Sequence, residues 1–336
     1  MIKAQSRPSA LTRIFGLSAF LFALLPGMAA FGSPAQAAEY PERPIRIVVP
    51  FGAGGLTDIL ARLIADRLSQ DAGWQVIVEN KTGAGGNIGA ADVARSKPDG
   101  YTLLMGSIGT NASNPFLYRN MPYDPKKDFA PITLAATGTL LLVMNPDLPI
   151  HSTQELIDYA KQHPGELSYG SGGMGASQHL AGELLKSMAG VDIQHVPYKG
   201  LAPAIPDLLA GRIAFTFDMA TALPYVKEGK LRAIAVANPE RSQALPDVPT
   251  IAESGVPGYA ASAWYGMFAP AGTPEPIIRQ LNERISHILR QEDIRQRLLA
   301  MGAEPAVSTP EELAAYVEEE SGKWGKVLKT LNLQLD

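Results

Sequence analysis

Two hydrophobic periods alternate along the chain. Short runs of apolar and β-branched residues read as buried strands, and apolar residues spaced three and four apart read as helix faces. "PIRIVVPF" is the first strand, and the pattern after it predicts a helix over 57–69 with Ile59, Leu60, Leu63, Ile64 and Leu68 on one face. "WQVIVENK" is the next strand, "NIGAADVARS" the next helix, and "PDGYTLLMGS" turns at Asp99-Gly100 into a third strand. This rhythm implies a mostly parallel sheet with helices on both faces. The middle of the chain repeats it. The helix "STQELIDYAKQHPG" opens with Ser152 and Glu155 at capping-box spacing and stops before Pro164-Gly165. Strand "ELSYG", helix "SQHLAGELLKSMAG", strand "DIQHVPY", helix "APAIPDLLAGR", strand "IAFTFD", a short helix near "LPYVKEGK" and strand "LRAIAVA" follow. The end is a strand, "SAWYGMFAPAGTP", and then helices, the last opened by Thr309-Pro310-Glu311-Glu312.

Two α/β units followed by a helical tail can be two consecutive domains or two lobes that the chain crosses twice. Apolar crossings near "TGTLLLVMNP" and "PGYAASAWYGMF" favour the lobes. The division expected is 38–140 with 258–336 in lobe 1, and 141–257 in lobe 2. Residues 1–37 stand apart. Lys3, Arg7 and Arg13 precede an apolar run broken by Pro26, and Ala35 and Ala37 form an A-x-A cleavage pattern. This is the pattern of a secretory signal peptide, and the run is at the short end for a membrane span.

Charge and composition narrow the function classes. Cleavage after Ala37 removes three cations and no acid, so the net charge of −4 falls by three to −7. An acidic exported protein has no basic face for nucleic acid. The chain has no cysteine, which excludes disulfides, thiolate chemistry and a lipid anchored on cysteine.

Glycine-rich turns supply the candidate chemistry. "PFGAGGLTD", "NKTGAGGNIGA" and "YGSGGMGASQH" each follow a strand and precede a helix, and "MGSIGTNASNP" is similar with hydroxyls and amides replacing some glycines. Glycine lets backbone approach a ligand. A helix N-terminus offers unpaired N–H groups and partial positive charge to a carboxylate or phosphate. One such turn is more often a plain βα connection; several, in both units, argue for a shared anion cleft at the carboxyl ends of the strands. Gly170, Gly172 and Gly175 also spell the dinucleotide fingerprint G-x-G-x-x-G, with Asp192 beyond, on a short mid-chain strand. Gly175-Ala176-Ser177-Gln178-His179 lies one residue from G-x-S-x-G, so a secreted serine hydrolase acting through Ser177, with His195, Asp207 or Asp218 in support, is the alternative from another class. His179 stands where that elbow needs glycine. The five histidines show no i, i+4 pair and no H-E-x-x-H, so no metal site is expected. No catalytic residue and no cofactor is assigned.

The segments "YPERPIRIVVPFGAGGLTD", "VENKTGAGGNIGA", "KPDGYTLLMGSIGT", "LSYGSGGMGASQHLAGELL", "HVPYKGLAPAIPDLLAGR" and "WYGMFAPAGTP" occur in one order at characteristic spacing. In them the chain beyond the leader resembles the extracytoplasmic solute receptors of tripartite tricarboxylate transporters, the Bug family. The resemblance implies an α/β, two-lobed periplasmic solute-binding protein of the Venus-flytrap, type II, kind. Such a receptor closes on a small carboxylate and delivers it to an integral membrane permease, as a monomer and without nucleic acid. It also implies ligand-binding roles by motif. Phe51, Gly54, Gly55, Thr57 and Asp58 form the first loop, Gly85, Gly86 and Asn87 the second, and Ser107, Thr110 and Asn111 the third. Ser171, Gly172, Ser177 and His179, then Tyr198 with Lys199, and Asp218 come from the other lobe; of these His179 reads equally as a structural hydrogen-bond donor, Tyr198 as a cleft wall or plain core, and Lys199 more as a solvated cation than a ligand. Asp58 and Asp218 either read a ligand amine or hydroxyl or bond their own loops; for Asp58, near a helix start, capping is the stronger reading. The first loop departs from many members in carrying Gly52-Ala53 in place of a bulkier or proline-containing pair, which bears on pocket width.

Overall fold

The computed structural model describes residues 40–218, 220–331 and 333. The expected signal peptide over 1–37 lies outside the described residues. Residues 40–336 form one compact unit, within which the strands sort into two sheets.

The first sheet begins as the hydrophobic pattern dictates. β1 (Ile45–Val49) is buried along nearly its whole length, α1 (Leu56–Ala72) follows, and β2 (Val76–Asn80), α2 (Asn87–Ala94) and β3 (Thr102–Ser107) complete two parallel crossovers. α1 buries Leu60, Leu63, Ile64 and Leu68 as expected, while Ile59 is only half-buried. After β3 the chain makes a π-helical turn over Gly109–Ser113 and the short α3 (Asn114–Leu117). β4 (Phe129–Gly138), which the alternation reading did not pick out, then runs antiparallel to a later strand and carries the chain to the second sheet.

The second sheet holds β5 (Leu141–Met144), β6 (Ser168–Ser171), β7 (Gln194–Pro197), β8 (Phe215–Phe217) and β9 (Arg232–Val236) in the order β7-β6-β8-β5-β9. Its helices are α4 (Thr153–Gln162), α5 (Ser177–Ala189), α6 (Ala204–Leu209) and α7 (Leu223–Lys227). The chain returns through β10 (Ala263–Pro270), wholly buried, and ends in α8 (Glu275–Leu289), α9 (Glu292–Ala300), β11 (Ala303–Pro305) and α10 (Pro310–Leu331). The first sheet thus has the order β11-β4-β10-β3-β1-β2.

Both sheets are mixed rather than mostly parallel. β1 pairs parallel with β2 and β3, and β6 parallel with β7 and β8; β10 runs antiparallel to β3 and β4, and β5 antiparallel to β8 and β9. The physical reason is the crossing. A strand arriving from the other lobe enters its sheet without a crossover helix and pairs antiparallel. The two crossings lie side by side: Ala237 N–H donates to Leu140 O at 2.7 Å, and Leu140 N–H donates to Asn238 Oδ1 at 2.8 Å. The helical tail packs on the first sheet through a buried carboxylate, since Glu320 Oε2 accepts from both Trp264 and Trp324 indoles at 3.2 Å.

Candidate ligand-binding site

The site is built where two helix N-termini meet. α1 starts at Gly55 and α5 at Ala176, and neither start has a side-chain cap. Their first-turn amides therefore keep the unpaired donors that every helix start leaves, together with its partial positive charge. Both first turns line one cleft, Gly55, Leu56 and Thr57 from one lobe and Ala176, Ser177 and Gln178 from the other. With its mouth the cleft holds about 520 Å³. Phe51, Gly52, Ser107 and Tyr265 add walls on the first lobe, and Gly172, Gly200, Leu201 and Asp218 on the second.

Its polar groups are held in reserve. Thr57, Ser107, Ser177, Gln178 and Tyr265 are all buried, yet no side chain among them bonds to another described group. Ser107 Oγ is fully enclosed and still unpartnered. A buried polar atom without a partner is costly, so this oxygen, in a cleft with four further side chains that make no bond to a described group, marks a place for a guest. No Lys, Arg or His lines the cleft. Its one carboxylate, Asp218, is pushed up by burial against hydrogen bonds from Thr221 and Ala222 that favour the charge. Thr221 Oγ also donates to it. Burial, with the Asp218 charge, raises the Tyr265 hydroxyl so that it stays a donor.

Of the expected residues, Phe51, Gly55, Thr57, Ser107, Gly172, Ser177 and Asp218 meet at this cleft. The others serve its frame. Asp58 turns back on its own loop, accepting from Gly54 N–H at 3.0 Å, Arg62 Nε at 3.0 Å and Asn80 Nδ2 at 2.9 Å. Burial pushes its carboxyl up, but those bonds outweigh it and hold the pKa below the usual range. Asn87 accepts from Asn114 Nδ2 and the Tyr123 hydroxyl inside its lobe. Thr110 Oγ1 accepts from Ser107 N–H and donates to Asn111 Oδ1 at 2.7 Å, shaping the third loop from within. Gly54 approaches Ala202 of the facing lobe. Gly85, Gly86 and Tyr198 line a second cavity beside the first.

Ser171 and His179 lie behind the 173–175 turn. Ser171 Oγ accepts from Gly173 N–H at 3.1 Å and sits 2.6 Å from His195 Nε2, and His179 Nδ1 accepts from Gly175 N–H at 3.1 Å. The two imidazoles lie 4.3 Å apart, with Tyr169 stacked on His195. Burial lowers His179 to about 4. Burial and then the His179 charge lower His195 to about 3. Neither histidine bonds Ser177, and the one described serine–histidine pair is at the fully buried Ser171. The arrangement does not assemble a nucleophile, base and open site at Ser177. The glycines of the fingerprint do other work: a Cβ at Gly170 would overlap Ile213 in the lobe core.

Sequence reading missed Gln178, Tyr265, Leu56 and Leu201 as cleft residues. Gln178 follows Ser177 in the same first helical turn, and Tyr265 lies inside "WYGMF", so position next to a recognised motif was the available signal.

Two sheets crossed twice by the chain, with a cation-free cleft between opposed helix starts, define a two-lobed solute-binding receptor. The chain belongs to the tripartite tricarboxylate transporter receptor family, whose model matches residues 60–333. Receptors of this family are periplasmic, and this chain is a receptor, not an enzyme. Protein BugT of Bordetella pertussis is 37% identical over 309 residues, covering 91% of this chain and 95% of BugT. The structure of R. palustris Rpa4515 with adipate has a TM-score of 0.86 at 42% identity, covering 88% of this chain and 100% of that one. MatC (Rpa3494) from Rhodopseudomonas palustris with bound malate has a TM-score of 0.81 at 38% identity, covering 86% and 100%. Among the described residues no helix is long and apolar enough to cross a membrane.

Proposed function

We propose that the protein captures a small organic carboxylate between its lobes and hands it to the permease of a tripartite transporter. The observation that carries this reading is the enclosed, unpartnered Ser107 hydroxyl in a cleft shared with Thr57, Ser177 and Gln178 at the facing starts of α1 and α5. A carboxylate there accepts from first-turn amides of both helices and from Thr57, Ser107, Ser177 and Gln178. Two helix starts together present roughly one positive charge, which suits one carboxylate group. Because one start comes from each lobe, the anion is fully held only when the lobes meet, and binding shifts the population toward the closed form. Asp218 and Tyr265, one from each lobe, read a hydroxyl or other polar group of the ligand body. Adipate in Rpa4515 and malate in MatC support the carboxylate class. In this reading the lobes are 38–140 with 258–336, and 141–257, and the monomeric receptor is exported with cleavage near Ala37.

The test is a thermal-shift screen of the protein from Glu39 onward, unfolded and refolded to strip carried-over ligand, against mono-, di- and tricarboxylates. A ligand at one hundred times its Kd adds about 2.7 kcal/mol, a shift of about 5 °C for a chain this size. A shift confined to carboxylates, with the compound recovered intact, supports the reading. No shift from any carboxylate overturns it.

A further inference from the structure

The turn that leads into α5 touches both its own helix and the facing lobe. Gly173 O accepts from Ala176 N–H at 3.1 Å, which folds the turn onto the helix start. Across the cleft, Ser113 Oγ donates to Gly175 O at 3.2 Å, and a Cβ at Gly175 would overlap Asn114 Oδ1. A Cβ at Gly85 would meet the Met174 carbonyl in the same way. These contacts join residues of opposite lobes, so they exist only while the lobes are together.

Two side chains behind the turn hold it. His179 is the third residue of α5, and its Nδ1 accepts from Gly175 N–H at 3.1 Å. A capping box makes the same reach, its third helical residue bonding back to backbone at the helix start; here the bond extends to the residue before the cap. Only a neutral imidazole has the lone pair for it, and burial keeps this one neutral. Ser171 Oγ accepts from Gly173 N–H and donates to Gly173 O, each at 3.1 Å, with His195 Nε2 at 2.6 Å from the same oxygen. Both His179 and Ser171 are buried, and neither lines the cleft. Any effect of theirs on a ligand passes through the turn and the helix start it leads into.

We propose that His179 is a positioning residue for ligand retention: its acceptor nitrogen fixes the 173–175 turn in the form that meets Ser113 and Asn114, and so favours the closed receptor. Ser171 steadies the other end of the same turn. Neither side chain needs to touch the ligand. The inference rests on closure around a carboxylate and adds what holds the closing surface in shape.

A double-mutant cycle on affinity tests it. The probe is the acid that most stabilises wild type in the carboxylate screen, with adipate and malate among those screened, and binding is measured by titration calorimetry. His179→Leu removes the acceptor and keeps a buried apolar side chain; His179→Asn puts Oδ1 where Nδ1 stood. Melting curves verify that each variant is folded at the temperature of the titration. The expected result is that His179→Leu weakens binding about fivefold, the scale of one hydrogen bond, while His179→Asn stays within about twofold of wild type. Ser113→Ala should weaken binding about threefold in the wild type and hardly at all beside His179→Leu. Unchanged affinity in His179→Leu, a loss in His179→Asn equal to that in His179→Leu, or a Ser113→Ala loss of the same size in both backgrounds overturns the inference, while wild-type binding leaves the cleft reading standing. If His179→Leu does not fold, Ser171→Ala takes its place in the cycle with Ser113→Ala, with the same expectation and the same overturning results. A wild type that no carboxylate stabilises overturns both readings.

Discussion

Ser107 shows in one side chain how the site trades stability for binding. Its hydroxyl is enclosed at the end of β3 and has no partner. Its own N–H is occupied by Thr110 Oγ1 at 3.1 Å. An unmade buried hydrogen bond costs about 1–3 kcal/mol. Ser107→Ala should therefore leave the unliganded protein as stable as wild type or about 1 kcal/mol more so, while weakening carboxylate binding about tenfold. Paired melting and titration measurements check this, and a variant that is both less stable and equally tight would refute the assignment. Asp58 should behave in the opposite way. Its carboxylate holds Gly54, Arg62 and Asn80 together, so Asp58→Ala should lose about 2 kcal/mol of stability, by leaving those donors unpaired. That loss should appear in denaturant unfolding without ligand.

At the scale of elements, α5 and its supporting strands form a pH-sensitive unit. His179 on α5 and His195 on β7 are neutral in the fold, lowered to about 4 and about 3 from an ordinary 6.5. The groups facing them are Tyr169 and Ser171 on β6 and Glu183 and Lys186 on α5, the last two ion-paired at 2.8 Å. Between the folded and unfolded values the unfolded chain binds more protons. The stabilisation is therefore complete above pH 6.5 and is lost progressively as pH falls toward 4 and below. Urea unfolding at pH 7 and pH 5 should differ on the order of 2–3 kcal/mol, and His179→Gln with His195→Gln should flatten that dependence. The same elements show what was legible in advance. The capping box at the start of α10 is present as read, with Thr309 N–H donating to Glu312 Oε2 at 2.8 Å and Glu312 N–H to Thr309 Oγ1 at 3.1 Å. Likewise Ser152 caps α4 through Glu155 N–H at 3.2 Å. These motifs depend on neighbours a few residues apart. The antiparallel pairing of β4 with β10 joins residues such as Phe129 and Pro270, and no local pattern announces a partner that distant. For the same reason Thr57 and Ser177 were read from their turns, but their meeting across the cleft, with Gln178 and Tyr265 beside them, depends on how two lobes pack.

For the whole molecule, glycine matters most where the lobes touch. Gly52 N–H donates to the Lys199 carbonyl at 2.9 Å across the cleft, and a Cβ at Gly52 would overlap that oxygen. A Cβ at Gly85 would overlap the Met174 carbonyl, and Ser113 Oγ donates to Gly175 O at 3.2 Å. Glycines read from sequence as room for an anion thus also give room for the facing backbone. Gly52→Ala should disfavour closure by about 1–3 kcal/mol, the usual penalty for overpacking. Apparent affinity falls with the closed fraction, so binding should weaken roughly tenfold or more. Without ligand, stability should change little, because the open form lacks the clash. Gly73 is the control: it caps α1 at φ 68° with nothing within 4 Å of an added Cβ, so Gly73→Ala strains the backbone far from the cleft. It should cost about 1 kcal/mol of stability and leave affinity as it was. Small-angle scattering with saturating ligand separates the two, since Gly52→Ala should need more ligand than wild type to reach the compact form. Equal ligand dependence for Gly52→Ala and wild type would mean that the Gly52–Lys199 contact does not govern closure.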